Sequence, residues 1–168
     1  MSNPNGPTDK NVERASKLDT ARALGATEVV DASAEDPVAA VKRHTEGRGG
    51  DYVFEVVGRS QTIRTAFAAT RRGGTTVLVG AGSPSDEVSF SAFELFVDSK
   101  NILGCVYGST DPDRDFPVLV DLLGRGLIDG RRMISRRIGL EEINEALDTM
   151  AAGAVARSVI VFDEAEVA

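Results

Sequence analysis

The sequence predicts an α/β protein built on a doubly wound parallel sheet, and three observations carry that prediction. From residue 15 onward, helical and strand signals alternate at the spacing of βα units. Two segments, DYVFEVVG at residues 51–58 and TTVLVG at residues 75–80, are nearly continuous apolar runs, the pattern of strands covered on both faces. Both end in glycine, as VVGR and VGAG, at the strand ends where open α/β sheets take up ligands.

The elements follow in order. Leu18, Ala21 and Leu24 fall on one side of a helix that Gly25 can stop with a left-handed cap. EVVD, residues 28–31, reads as a short strand. Asp36 and Pro37 start the next helix, because the carboxylate can accept free N–H groups and proline at the first position lacks one. That helix turns Val38 and Val41 inward and breaks at GRGG, residues 47–50. After the DYVFEVVG strand, Ser60 is the expected cap of a helix with Ile63, Ala66, Phe67 and Thr70 in register. RRGG then turns the chain into TTVLVG.

Beyond Gly82, SPSDEVSF (residues 83–90) reads as a loop into an edge strand, FELFVDSK as a short helix and KNILGCVYGS (residues 100–109) as an apolar strand. A helix around residues 115–124, a strand near MISRRI, a helix with Ile143, Ala146, Leu147 and Met150 in register and a final strand RSVIVF complete an α/β tail.

The 168 residues are 42% apolar, enough for a core. A net charge of −7 argues against nucleic acid and anionic membrane as partners. No apolar run reaches the roughly 20 residues of a membrane span, and no signal peptide is visible. One cysteine excludes an internal disulfide, so the chain reads as cytoplasmic and reduced. Residues 1–11, polar and rich in Pro, Gly and Asn, read as a disordered lead.

With a single His and a single Cys, no metal or catalytic constellation is visible. His44 reads as a surface residue at a helix end, and Cys105 as a buried structural thiol inside a strand. No G-x-G-x-x-G stands between a strand and a helix. The strand-ending glycines leave two readings open, an ordinary turn or close approach of a ring or ribose to the backbone.

ARALGATEVVD, GRGGDYVFEVVGR, RRGGTTVLVGAGSP, KNILGCVYGS, DFPVLVDLL, LEEINEALDTM and RSVIVF stand in the order found in the C-terminal half of zinc-type, medium-chain alcohol dehydrogenases, which residues 12–162 resemble. The resemblance implies an incomplete Rossmann-type sheet lacking its first strand, with a partial NAD-binding domain over residues 12–106. Residues 107–168 would be a C-terminal segment that packs with the catalytic domain. It implies NAD as cofactor, hydride transfer between an alcohol and NAD, and zinc held only by a separate N-terminal domain. This chain alone would not catalyse. The glycine loop and the ribose-binding acid, whose place Val12 takes, are missing, which lowers the expected cofactor affinity.

By the same resemblance, Lys17 matches a lysine near the adenosine ribose, and Val57 with Arg59 the adenosine-side wall. Val79, Ala81, Cys105 and Tyr107 match segments framing the nicotinamide, and Arg157 the arginine that pairs with the pyrophosphate. For Lys17 and Arg157 a solvated helix or strand end is the alternative. Residues 87–90 and 101–106 resemble the strands through which the family's subunits pair, so a homodimer is expected. A non-catalytic dimerisation or regulatory module, and a zinc-independent reductase of the quinone-oxidoreductase branch, are the competing readings.

Overall fold

The computed structural model describes residues 17–152, 155 and 157–162, so the lead at residues 1–11 and Val12 lie outside the described residues. The chain divides into two compact units, one of residues 30–115 and one joining residues up to 29 with those from 116 onward.

The first of these units holds a three-stranded parallel sheet in the order β1-β2-β3, formed by β1 (Gly50–Glu55), β2 (Thr70–Leu78) and β3 (Asn101–Gly104). The helix Pro37–His44 begins as its sequence requires, with Asp36 Oδ1 accepting the Val38 N–H at 2.8 Å. It leads through Gly47 and Gly49, both at positive φ, into β1. The helix Ser60–Ala69 packs its buried Ala66 and Phe67 on one face of the sheet. There Thr76 Oγ1 and Thr70 Oγ1 share a hydrogen bond of 2.8 Å, which satisfies two fully buried hydroxyls. Ser91 caps the last helix of the unit, Ala92–Asp98, through the Glu94 N–H at 3.3 Å.

Five expectations change here. β1 is not covered on both faces: Tyr52 and Phe54 are 69% and 63% exposed, because every helix with extensive contact to β1 lies on the opposite face. RRGG is not a turn; it lies inside β2 as a bulge, with Gly50 paired to Thr70 but Tyr52 paired to Thr75, and Gly73 at φ +67 absorbing the extra residues. Ser60 does not cap its helix with its own side chain; its N–H donates instead to Asp86 Oδ2 at 2.8 Å. Residues 87–90 form no strand, and Phe90 packs on Phe67 with ring centroids 4.7 Å apart. KNILGCVYGS is a strand only over Asn101–Gly104, and Cys105, beyond its end, is half-buried rather than buried.

In the second unit, residues 17–23 are helical and end as foreseen, with Gly25 at φ +106 and the Ala26 N–H donating to the Ala21 carbonyl at 3.0 Å. EVVD, which straddles the division between the units in sequence, is not a strand, since no segment of the described residues offers it a ladder; Asp31 instead closes a turn within residues 30–115 by accepting the Ser33 N–H at 2.9 Å. Two short parallel strands, β4 (Arg136–Ile138) and β5 (Ser158–Ile160), pair beside the helix Ile143–Ala151. Ile138 and Ala146 are buried, while Leu147 and Met150 on the same predicted stripe are 51% and 59% exposed. Arg136 ties this corner together, donating to Glu142 Oε1 at 2.8 Å and to Glu145 Oε1 at 3.0 Å. A helix over Pro112–Gly124 spans the boundary between the units in sequence. Among the described residues no helix is long and apolar enough to cross a membrane.

Candidate functional site

Parallel strands all end on the same side, so Glu55, Leu78 and Gly104 bring three following loops to one edge. Six of the residues singled out from the sequence stand there: Val57, Arg59, Val79, Ala81, Cys105 and Tyr107. The loops are fastened to one another. Val79 and Gly80 donate their N–H groups to the Glu55 carbonyl at 2.8 and 3.0 Å, and Cys105 donates to the Leu78 carbonyl at 2.9 Å.

The three glycines of this edge require each other. A Cβ on Gly58, which sits at φ +82, would stand 2.5 Å from the Gly82 nitrogen, one on Gly80 would strike the Gly58 nitrogen, and one on Gly82 the Gly58 carbonyl oxygen. VVGR and VGAG therefore lie backbone against backbone, and side chains there would push them apart. The geometry gives these glycines a reason in the protein itself, the close packing of one loop backbone on the other, which is neither the simple turn nor the ring or ribose contact read from the sequence.

Two carboxylates that the sequence reading passed over hold the edge in shape. Glu55, 4% exposed, accepts the N–H groups of Val57 (2.8 Å) and Gly58 and the Thr62 hydroxyl at 2.7 Å. Burial pushes its carboxyl up, but the hydrogen bonds from Thr62, Val57 and Gly58 outweigh burial and leave it below the ordinary glutamate value. A lone carboxylate inside the apolar run VFEVVG was the signal for it. Asp86, held below its ordinary value by hydrogen bonding from Ser60, places a negative charge near Arg59, 26 residues of chain from the helix start that it caps.

Tyr107, 69% exposed, lies in a short 3₁₀ turn where it and Ser109 both adopt left-handed φ around Gly108. Such conformations cost about 1–3 kcal/mol each in non-glycine residues and cluster at ligand-binding sites. In the other unit, Lys17 is exposed on its helix, and Arg157 is exposed while its carbonyl accepts the Ser135 N–H at 2.8 Å, aligning β5 with β4. Among the described residues no three His, Cys, Asp or Glu side chains stand close enough together to hold a metal ion.

The edge leaves Val79 and Ala81 exposed at the strand ends. A flat ring can lie on the exposed strand ends at Val79 and Ala81, while the N–H groups of Val79, Gly80 and Cys105 are already engaged in the sheet. Hydrogen bonding to a ring substituent there falls to the remaining backbone groups. A phosphate cradle of glycines between strand and helix is not among these loops.

Comparison with known proteins agrees with the fold. Residues 11–125 match the family described as zinc-binding dehydrogenase. Alcohol dehydrogenase class-3 of Myxine glutinosa is 33% identical over 146 residues, which are 86% of this chain and 39% of that protein. The crystal structure of benzyl alcohol dehydrogenase from Acinetobacter calcoaceticus superposes with a TM-score of 0.82 at 30% identity, covering 89% of this chain and 41% of that one. A structure described as a zinc-binding dehydrogenase of Sinorhizobium meliloti 1021, bound to NADP, superposes with a TM-score of 0.77 at 30% identity, covering 88% and 43%. The chain thus spans about two fifths of the length of the proteins it matches. It belongs to the zinc-binding dehydrogenase family, of which it carries the coenzyme-domain part.

Proposed function

We propose that the strand-end edge at Val79, Ala81, Cys105 and Tyr107 receives the nicotinamide end of an NAD-type coenzyme, with Val57 and Arg59 on the adenosine side, and that the chain is the coenzyme-binding part of a cytoplasmic zinc-type alcohol dehydrogenase. The observation that carries this reading is the interlock of Gly58, Gly80 and Gly82, which packs the loops after β1 and β2 together at the paired strand ends Glu55 and Leu78, beside exposed Val79 and Ala81. When bound, the nicotinamide supplies the hydride acceptor or donor for an alcohol and its carbonyl product. This chain's residues orient it: the Glu55 carboxylate fixes the Val57–Gly58 loop, and the Tyr107–Ser109 turn closes the β3 side. By the family resemblance, Lys17 is proposed for the adenosine ribose and Arg157 for the pyrophosphate, and zinc would be held by a domain other than these residues. Calorimetric titration with NADH and with NADPH tests the reading: saturable heat with either supports it, and none at millimolar coenzyme removes it.

A homodimer through residues 87–90 and 101–106 is proposed alongside, and what supports it is the β3 edge within 101–106, since residues 87–90 form no strand. Among the described residues β3 has a neighbour on one side only, Leu103 is 55% and Val106 87% exposed, and Phe93 and Phe96 lie uncovered on the adjoining helix. An open, apolar strand edge of this kind pairs readily with a second copy.

A further inference from the structure

At the opposite end of the sheet, where β1, β2 and β3 begin, a cavity of about 600 Å³ is lined by Lys42, Arg48, Arg71, Arg72 and Lys100 together with Asp51 and Asp98. Five cations stand against two carboxylates in a chain whose net charge is −7. Helix ends explain part of this concentration, because the helices ending at His44, Ala69 and Asp98 each bring about half a negative charge to the region. Three such ends and two carboxylates still leave the cations in excess.

The carboxylates are already engaged. Arg71 is paired with Asp51, whose carboxyl it holds below the usual range, while Arg72 and Lys100 share Asp98, each at 3.5 Å. Lys100 is built into the wall: its side chain is 6% exposed, its Nζ donates to the Phe67 carbonyl at 3.0 Å, and it lies 4.5 Å from the Phe67 ring centroid. Among the described residues Lys42 and Arg48 line the same space outside any close ion pair, and Arg48 adds a weaker attraction to the already paired Asp51. Guanidinium and ammonium groups on this wall, in excess of the carboxylates and with Lys42 and Arg48 outside any close ion pair, match a ligand carrying adjacent anionic oxygens. The volume falls in the range of small-molecule sites.

We propose that this basic cavity binds a phosphate-bearing small molecule with at least two neighbouring negative charges, at a site separate from the coenzyme edge. The test titrates the full chain calorimetrically with inorganic pyrophosphate and, in parallel, with ATP. A double variant, Lys42→Ala with Arg48→Ala, is compared with Arg125→Ala, which removes an exposed cation elsewhere. Saturable binding that falls tenfold or more in the double variant, and is unchanged in Arg125→Ala, is the expected result. Tighter binding of ATP than of pyrophosphate would identify a nucleotide, and equal binding the free diphosphate. Circular dichroism reports whether the double variant is folded; should it fail to fold, Arg48→Gln alone is titrated for the same loss. No saturable binding at millimolar pyrophosphate and ATP, or equal binding by folded wild type and variants, overturns the proposal, whatever the outcome of the NADH titration.

Discussion

Both carboxylate oxygens of Glu55 accept the single N–H of Gly58, at 3.0 and 2.9 Å, so one buried side chain decides where the loop after β1 can go. Removing it leaves the N–H groups of Val57 and Gly58 without their acceptor. Charge-assisted hydrogen bonds contribute about 1.5–3 kcal/mol and orphaned buried groups cost about 1–3, so Glu55→Ala should lose about 2–4 kcal/mol, read from the urea midpoint. The carboxyl is held below its ordinary value of 4.5, so its stabilisation is complete above that pH and disappears as pH falls through the lower folded value. Wild type should therefore lose stability on acidification more steeply than Glu55→Gln, and parallel curves would show that the carboxylate contributes nothing.

The interlocked glycines predict a graded series. Gly58→Ala must force a left-handed backbone and a clash with the Gly82 nitrogen, together costing more than about 2 kcal/mol. Gly104→Ala, with nothing within 4 Å of the added carbon, should shift the midpoint by less than about 0.5 kcal/mol. Equal effects at the two positions would contradict the packing of VVGR on VGAG.

On the uncovered face of the sheet, Phe54 and Leu103 lie in one row through Val77, and both are more than half exposed. An apolar surface of this kind binds hydrophobic dyes. Phe54→Lys should lower 8-anilinonaphthalene-1-sulfonate fluorescence severalfold and change stability by less than about 0.5 kcal/mol, because little contact is lost. A large loss of stability would mean that Phe54 packs against something.

For the β3 edge, sedimentation velocity should show a dimer in wild type that dissociates in Leu103→Glu, since a charge facing its symmetry mate opposes pairing. A wild-type monomer at every concentration would contradict the proposed pairing.

Local signals in the sequence identified the parts whose causes are local. Asp36 and Pro37 mark their helix start because the cap lies within two residues of its donor. Ala66 and Phe67 are buried where the 3.6-residue period puts them. What escaped depends on distant partners. Asp86 caps a helix that begins 26 residues before it. EVVD carries the composition of a strand, but a strand exists only beside another. RRGG carries the same glycine signal whether it turns the chain or bulges a strand, and only the register of β1 against β2 decides between them. At the candidate site the six residues singled out by family resemblance stand together at the strand ends, whereas the Glu55 carboxylate that shapes the edge was hidden in an apolar run.

Amide chemical-shift mapping of the isotopically labelled chain during titration with NADH tests the central claim most directly. The account predicts saturable shifts concentrated at Val57 and Gly58, Val79 to Gly82 and Cys105 to Tyr107, with a dissociation constant of about 1 mM, equivalent to about −4 kcal/mol. Shifts confined to residues away from these strand ends, or none at all at millimolar NADH, would contradict it.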